Sequence, residues 1–385
     1  MPTLFDDLQV RDLKLRNRIL VSPMCQYSSD DGFATDWHLV HLGSRAVGGA
    51  AVVFTEATAV TAAGRISPED LGLWKDAHVE ALARVVRFVS EAGAHAGIQL
   101  AHAGRKASTC RPWAPATGSV PPAAGGWTAV APSAVAFEGY AAPQELSEAG
   151  IREVVAAFAA AARRAREAGF RVVEVHAAHG YLVHQFLSPL SNLRMDRWGG
   201  SFENRTRLAR EVVEAVRREW PERLPLFVRL SATDWVEGGW DVEQSVELAR
   251  QLRPLGVDLV DCSSGGLVAH ARIPVGPGYH VPFAERIRRE SGLMTGAVGL
   301  ITTPAQADEI VRAGRADAVL LARQMLRDPY FPLHAALELG HAGAWPPQYQ
   351  RAAPAGGAPG VSTGLGLAAG GPAEPGAKRA REGRS

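Results

Sequence analysis

Three cysteines, Cys25, Cys110 and Cys262, are all that 385 residues hold, and they lie far apart without CxxC or Cys/His ligand spacing. That scarcity argues against a disulfide framework, a structural zinc site and an iron–sulfur cluster. Long hydrophobic runs are also missing: the longest, Val154 to Ala162, falls well short of the roughly 20 residues that span a bilayer. Neither sign of charge predominates, with 41 basic against 40 acidic side chains, so no electrostatic footprint for nucleic acid or an acidic membrane is present. Asp6, Asp7, Arg11 and Asp12 precede any apolar stretch, unlike a secretory signal. A soluble protein of the reducing cytoplasm is the expectation. Apolar content is ample: at 46% it can fill a large core, and the length suits either one large domain or two or three ordinary ones.

Short β-branched runs alternate with amphipathic segments along most of the chain. Strands are predicted at Ile19–Ser22, Ala51–Thr55, Ala96–Leu100, Val172–His176, Leu226–Leu230, Leu259–Cys262, Met294–Val298 and Ala318–Ala322. Between them fall helical patterns such as Ile151, Val154, Val155, Phe158, Ala161, Ala162 and Ala165, spaced three and four apart. Gly93, Gly169, Gly256 and Gly314 stand where helices would end, because glycine takes the left-handed conformation without steric cost. Eight such βα units predict a (β/α)8 TIM barrel over residues 1–351, against the alternative of an open doubly wound sheet. Two regions leave the rhythm. The proline-rich stretch Cys110 to Glu145, with Trp113, Trp127 and Tyr140, follows the third strand as an extended loop or lid. Residues 352–385 are Gly/Ala/Pro-rich and read as a disordered tail. Gly364-Leu365-Gly366 in that tail is not a dinucleotide fingerprint, since no strand precedes it and the third glycine is misplaced.

In a barrel of this kind, reactive side chains gather at the carboxyl ends of the strands. Here those ends carry Ser22-Pro23-Met24-Cys25-Gln26-Tyr27; Glu56-Ala57-Thr58; Gln99, His102, Arg105 and Lys106; His176, His179 and Tyr181; Arg229, Ser231 and Asp234; Ser263 to Gly266; Gly296 to Gly299; and Ala322-Arg323. Gly299 with Arg323 would make a phosphate cradle, or else a plain turn and a surface charge. Arg229 sits inside the apolar run Leu226 to Leu230 and needs an anion, from a ligand in the barrel mouth or from a protein carboxylate. His176 and His179 could be metal ligands, satisfied core groups or donors to a substrate oxygen. No acidic residue completes a zinc set at obvious spacing, and no metal is expected. Cys25, Tyr27 and Tyr181 are each ambiguous in isolation.

Together these motifs resemble the old yellow enzyme family of FMN-dependent ene-reductases, in its thermophilic-like branch, from about Leu4 to Arg351. The resemblance rests on Asn17-Arg18-Ile19 leading to Ser22-Pro23-Met24-Cys25, on Gln99-Leu100-Ala101-His102-Ala103-Gly104-Arg105-Lys106 and on His176-Ala177-Ala178-His179-Gly180-Tyr181. Phe186-Leu187-Ser188-Pro189, Trp198-Gly199-Gly200-Ser201, Glu203-Asn204-Arg205, Asp328-Pro329 and Gln348-Tyr349-Gln350-Arg351 complete it. It implies a bound FMN over the barrel mouth, with NADPH or NADH as reductant. Ser22, Pro23, Met24, Cys25 and Ala57 would line the flavin, Gln99 and Arg229 would meet its pyrimidine edge, and Gly299, Ala322 and Arg323 would hold the phosphate.

The same resemblance implies ping-pong hydride transfer through flavin N5 to the C=C bond of an α,β-unsaturated carbonyl compound, with nitro compounds as further acceptors. His176 and His179 would bind the carbonyl oxygen, Tyr27 would orient the substrate, Tyr181 would donate the proton, and Cys25 would tune the flavin. A homodimer or homotetramer is expected, with Arg351 reaching a neighbouring active site. Two departures stand out: residues 352–385 follow Arg351, and the loop from Cys110 to Trp127 is longer than in the shortest relatives. The competing reading is a metal-dependent barrel hydrolase using His176 and His179. A dienoyl-CoA reductase is disfavoured by the three scattered cysteines.

Overall fold

The computed structural model describes residues 1–354; Gly364-Leu365-Gly366 and all but the first three residues of the expected tail lie outside them. Eight parallel strands close into a barrel in sequential order: β1 (Ile19–Val21), β2 (Val52–Ala59), β3 (His95–Ala101), β4 (Val172–Ala177), β5 (Leu226–Ser231), β6 (Leu259–Ser263), β7 (Met294–Ala297) and β8 (Ala318–Leu321). The helices α1 (Asp36–Val47), α2 (His78–Glu91), α3 (Glu148–Glu167), α4 (Phe202–Glu219), α5 (Val242–Leu252), α6 (Val281–Ser291), α7 (Pro304–Arg312) and α8 (Phe331–Glu338) follow the strands in turn. The predicted (β/α)8 barrel is therefore the architecture, and the open sheet is ruled out by the pairing of β8 with β1.

Alternation along each strand sorts side chains between two cores. Outward residues such as Val173, Val175, Val228, Leu230 and Val260 pack with the helices. Inward residues at the amino end, Phe54, Val172, Phe227 and Leu259 among them, form a separate apolar layer. One step higher the inward positions turn polar, with Gln99, Glu174, Arg229 and Asp261 all buried. Higher still stand His176 and Ser263, at the mouth.

Two features escaped the sequence reading. A short antiparallel hairpin, Leu8–Val10 with Leu13–Leu15, inserts its leucines and valine into the inner apolar layer and stoppers the amino end of the barrel. β2 runs on to Ala59 rather than ending at Thr55, because an irregularity between Phe54 and Ala57 re-registers it against β3. The stretch after β3 is the expected extended loop, but it is anchored. Val130–Ala131 pairs with Gln144–Glu145, and Trp127 Nε1 donates to the Ala63 carbonyl (2.8 Å). Among the described residues no helix is long and apolar enough to cross a membrane.

Candidate active site at the barrel mouth

The turn after β4 begins with His179 in the left-handed region (φ 57°), followed by Gly180 (φ 73°). A Cβ on Gly180 would fall 2.2 Å from the Gly266 carbonyl oxygen, so only glycine lets this turn meet the one after β6. Lys106 binds the two turns together, its Nζ donating to the carbonyls of His179 (2.8 Å) and Gly266 (2.9 Å). Burial pulls the Lys106 pKa down to about 8. The sequence had shown Lys106 at a strand end without a role; the pattern could not say that it would turn inward. Behind the turn, Gly180 N–H donates to His184 Nδ1 (2.9 Å), and His184 Nε2 lies 2.9 Å from Asp234 Oδ1. Asp234 is thus a buried strut.

A hydrogen bond assigns the tautomer of His176. The Ala178 N–H reaches His176 Nδ1 (3.2 Å), so the proton of a neutral His176 is on Nε2. Ser263 Oγ lies 2.7 Å from His179 Nε2. His176 Nε2–H points at His179 Nδ1, 3.4 Å away, so the inner nitrogens of the two rings meet at one small space. Burial, then the positive charge of Arg229, holds both rings well below the usual histidine range, which keeps them uncharged. No group of three or more His, Cys, Asp or Glu side chains able to hold a metal occurs among the described residues.

Tyr181 packs edge-on against His176 with ring centroids 5.0 Å apart, and Lys106 Nζ stands 5.2 Å from its ring centre. Burial, with Cys25 and Tyr27 close by, raises its hydroxyl pKa well above the usual phenol value. Cys25 is likewise held as a thiol by burial and by Asp70 and Glu56, while hydrogen bonds from the Ala57 backbone and Tyr27 oppose the shift. Tyr27 has φ 50°, and Trp113 of the long loop meets its ring edge-on at 5.6 Å. The turn holding both is fixed from behind, where Gln26 N–H donates to Glu56 Oε2 (3.0 Å) and His38 Nε2 lies 3.1 Å from Glu56 Oε1. His38 and Glu56 were not assigned a role from the sequence.

On the other side of the mouth, a cavity of about 170 Å³ is bounded by Arg229, His280, Gly299, Ala322 and Arg323. Gly299 has φ 106°, and a Cβ there would come 2.9 Å from His280 Nδ1, so the floor of the cavity demands glycine. Of the two anions foreseen for Arg229, the protein carboxylate is present: its Nε is 3.1 Å from Asp261 Oδ2, and its side chain also lines the cavity. Gln99 Nε2 donates to Glu174 Oε1 (2.7 Å), leaving its carbonyl oxygen to face elsewhere. Ser22 Oγ at the end of β1 is buried without a hydrogen-bond partner. Pro23 and Met24 are half-buried beside it, and Ala57 faces Gln99 across β2 and β3. Arg351, in the turn Pro347–Ala352, is exposed and makes no side-chain hydrogen bond or ion pair among the described residues; it does not join the mouth of its own barrel.

Comparison with known proteins agrees with this geometry. The NADPH dehydrogenase of Geobacillus sp. (strain WCH70) is 50% identical over 351 residues, covering 90% of this chain and 98% of that protein. That of Bacillus subtilis (strain 168) is 48% identical over 351 residues, covering 90% and 98%. Among solved structures, morphinone reductase in complex with tetrahydroNAD superposes with a TM-score of 0.73 at 28% identity, covering 90% of this chain and 94% of that one. The old yellow enzyme homologue from Zymomonas mobilis gives 0.73 at 26% identity, covering 89% and 94%. The description "NADH:flavin oxidoreductase / NADH oxidase family" matches residues 3–341. With a closed barrel, a mouth of this chemistry and these likenesses, the chain belongs to the NADH:flavin oxidoreductase / NADH oxidase family, the FMN-dependent oxidoreductases of old yellow enzyme type.

Proposed function

We propose that this enzyme reduces the C=C bond of α,β-unsaturated carbonyl compounds, taking its electrons from NADPH. The observation that carries the reading is the meeting of His176 Nε2 and His179 Nδ1, 3.4 Å apart, at one point of the mouth. An oxygen placed there accepts from both rings once the Ser263 hydroxyl donates to His179 Nε2, and one that gains negative charge during the reaction does so best. A metal hydrolase would need these nitrogens as lone-pair donors with further ligands beside them, and the described residues offer no such set.

The residues around the mouth fit an FMN. The orphaned Ser22 Oγ and the free carbonyl of Gln99 suit the polar edge of a flavin, and the Gly299 turn with Arg323 suits its phosphate. FMN bound there supplies reversible hydride transfer, first from the nicotinamide and then to the β-carbon of the enone, one partner leaving before the next binds. His176 and His179 hold the carbonyl oxygen and stabilise the enolate charge. Tyr181, kept protonated by burial, gives its proton to the α-carbon. Tyr27 and the Trp113 loop shape the wall against which the substrate lies. Cys25, a thiol rather than a thiolate, borders the flavin without acting as a nucleophile. Nitro compounds, whose oxygens are acceptors of similar placement, would use the same donors. A reducing, cytoplasmic setting suits the three unpaired thiols. Arg351, exposed beyond its own barrel, is available to complete the site of a second copy in a homodimer or homotetramer.

The test is anaerobic. NADPH should bleach the flavin absorbance of the purified holoprotein, and 2-cyclohexenone should restore it. A flavin that stays reduced in the presence of the enone overturns the assignment.

A further inference from the structure

Beneath the mouth, the polar layer of the barrel carries an imbalance of charge. Glu174 and Asp261 are completely buried on β4 and β6, and Arg229 on β5 is the one guanidinium between them. Glu174 Oε1 accepts from Gln99, but its Oε2 has no partner. Arg229 Nε and Asp261 Oδ2 are 3.1 Å apart, yet neither atom makes an aligned hydrogen bond. The pair is held by charge and not by directed bonding, so the guanidinium is free to change partners. Two carboxylates against one cation would leave a net negative charge in a dry interior, which is costly unless a proton is retained. Burial and the neighbouring carboxylate push Glu174 up, so it keeps that proton. Asp261 is also raised by burial, less so because Arg229 opposes it.

We propose that Asp261 is a positioning residue that holds Arg229 while the flavin is oxidised, and that it takes one proton from solvent when reduction draws the guanidinium to the cofactor. This rests on the reading that Arg229 faces the flavin's pyrimidine edge, where reduction places negative charge. The balance closes. NADPH gives up a hydride and leaves as NADP⁺, and Asp261 binds one H⁺ from water as the carboxylic acid. When the hydride departs to the β-carbon, Asp261 returns that proton and recovers Arg229. The other ionisable groups facing Arg229 stay uncharged through this cycle. His176, His179 and His280 are depressed by burial, and Tyr279 is raised by it. Cys262 beside Asp261 is likewise raised. Lys106, bound to the His179 and Gly266 carbonyls, and Arg323, which lines the cavity, are the remaining cations nearby.

The experiment is potentiometry of the holoprotein against pH. Each proton taken up with two electrons steepens the midpoint potential by about 30 mV per pH unit. Wild type should show two protons per two electrons around neutrality, twice the slope of hydride uptake alone. Asp261→Asn should fall to the single-proton slope at a higher potential. Glu174→Gln, which mimics the protonated acid, should keep the double slope. The infrared difference between reduced and oxidised wild type should show a carboxylic-acid carbonyl band gained on reduction and shifted in D₂O. A single-proton slope in wild type, or a double slope surviving in Asp261→Asn, overturns the proposal. If Asp261→Asn does not hold FMN, the wild-type slope and the infrared band decide. Arg229→Lys separates the two layers of inference. A potential left unchanged removes Arg229 from the cofactor, and the proposal with it. A shifted potential with a single-proton wild-type slope leaves Arg229 in place and removes only the role of Asp261.

Discussion

At the scale of single residues, the properties of the mouth come from denying charge to groups that usually carry it. His176 and His179 are uncharged near neutral pH, so each has one N–H, and the Ala178 N–H places that of His176 on Nε2. His176→Ala should therefore weaken the binding of phenols and enones while FMN stays bound, and slow flavin reoxidation by about 10²–10³-fold, the usual loss for one such donor. Ligand titration of the flavin spectrum measures the first effect and stopped-flow reoxidation the second; a variant that instead releases FMN would falsify the role. Tyr181→Phe should slow reoxidation by enone far more than reduction by NADPH, because only the enone step consumes its proton. Equal slowing of both half-reactions would make Tyr181 a packing residue.

At the scale of elements, the strands and their order were readable because inward and outward positions repeat every second residue, and the structure keeps all eight within a few residues. Two of the charged residues were visible and passed over. Glu174 in Val172-Val173-Glu174-Val175 and Asp261 in Leu259-Val260-Asp261-Cys262 break apolar runs just as Arg229 does. What the chain order could not show was that the three meet inside the barrel, since that depends on the stagger between strands. The hairpin Leu8–Leu15 was missed because three-residue strands carry too little pattern to register. The turn after β4 was readable in its chemistry but not in its contact with the turn after β6. Gly180→Ala should lower stability by about 1–3 kcal/mol, through its φ of 73° and the clash with the Gly266 carbonyl. Chemical denaturation should register that loss, and an unchanged midpoint would mean that the two turns do not touch in solution.

For the whole molecule, the buried ionisable groups set the pH at which the fold is strongest. Burial depresses His41 and His280 to about 3 and His102 to about 4. The unfolded chain therefore binds protons that the native one refuses, and stability falls as pH drops below the unfolded value of about 6.5. Buried carboxyls act in the opposite sense. Asp70, raised to about 8 by burial and Glu56, keeps a proton that the unfolded chain has lost, so its contribution fades as pH climbs to about 8. Urea midpoints should peak near pH 6.5 and decline on both sides, by about 1.4 kcal/mol per pH unit for each net proton. A stability that rises steadily from about pH 6.5 to 8 would contradict this balance.

The stopper at the barrel's amino end carries a consequence for how the enzyme is made. Leu8, Val10, Leu13 and Leu15 pack in one cluster with Ala318 and Leu320 of β8, and the Leu4 N–H donates to Asp308 in the middle of α7 (2.8 Å). The hairpin thus has some of its partners about 300 residues downstream. During translation these leucines have no completed barrel to enter, so the nascent chain exposes them until β8 is synthesised. A growing copy can be completed only from its far end, and fragments ending before Ala318 should stay bound to chaperones.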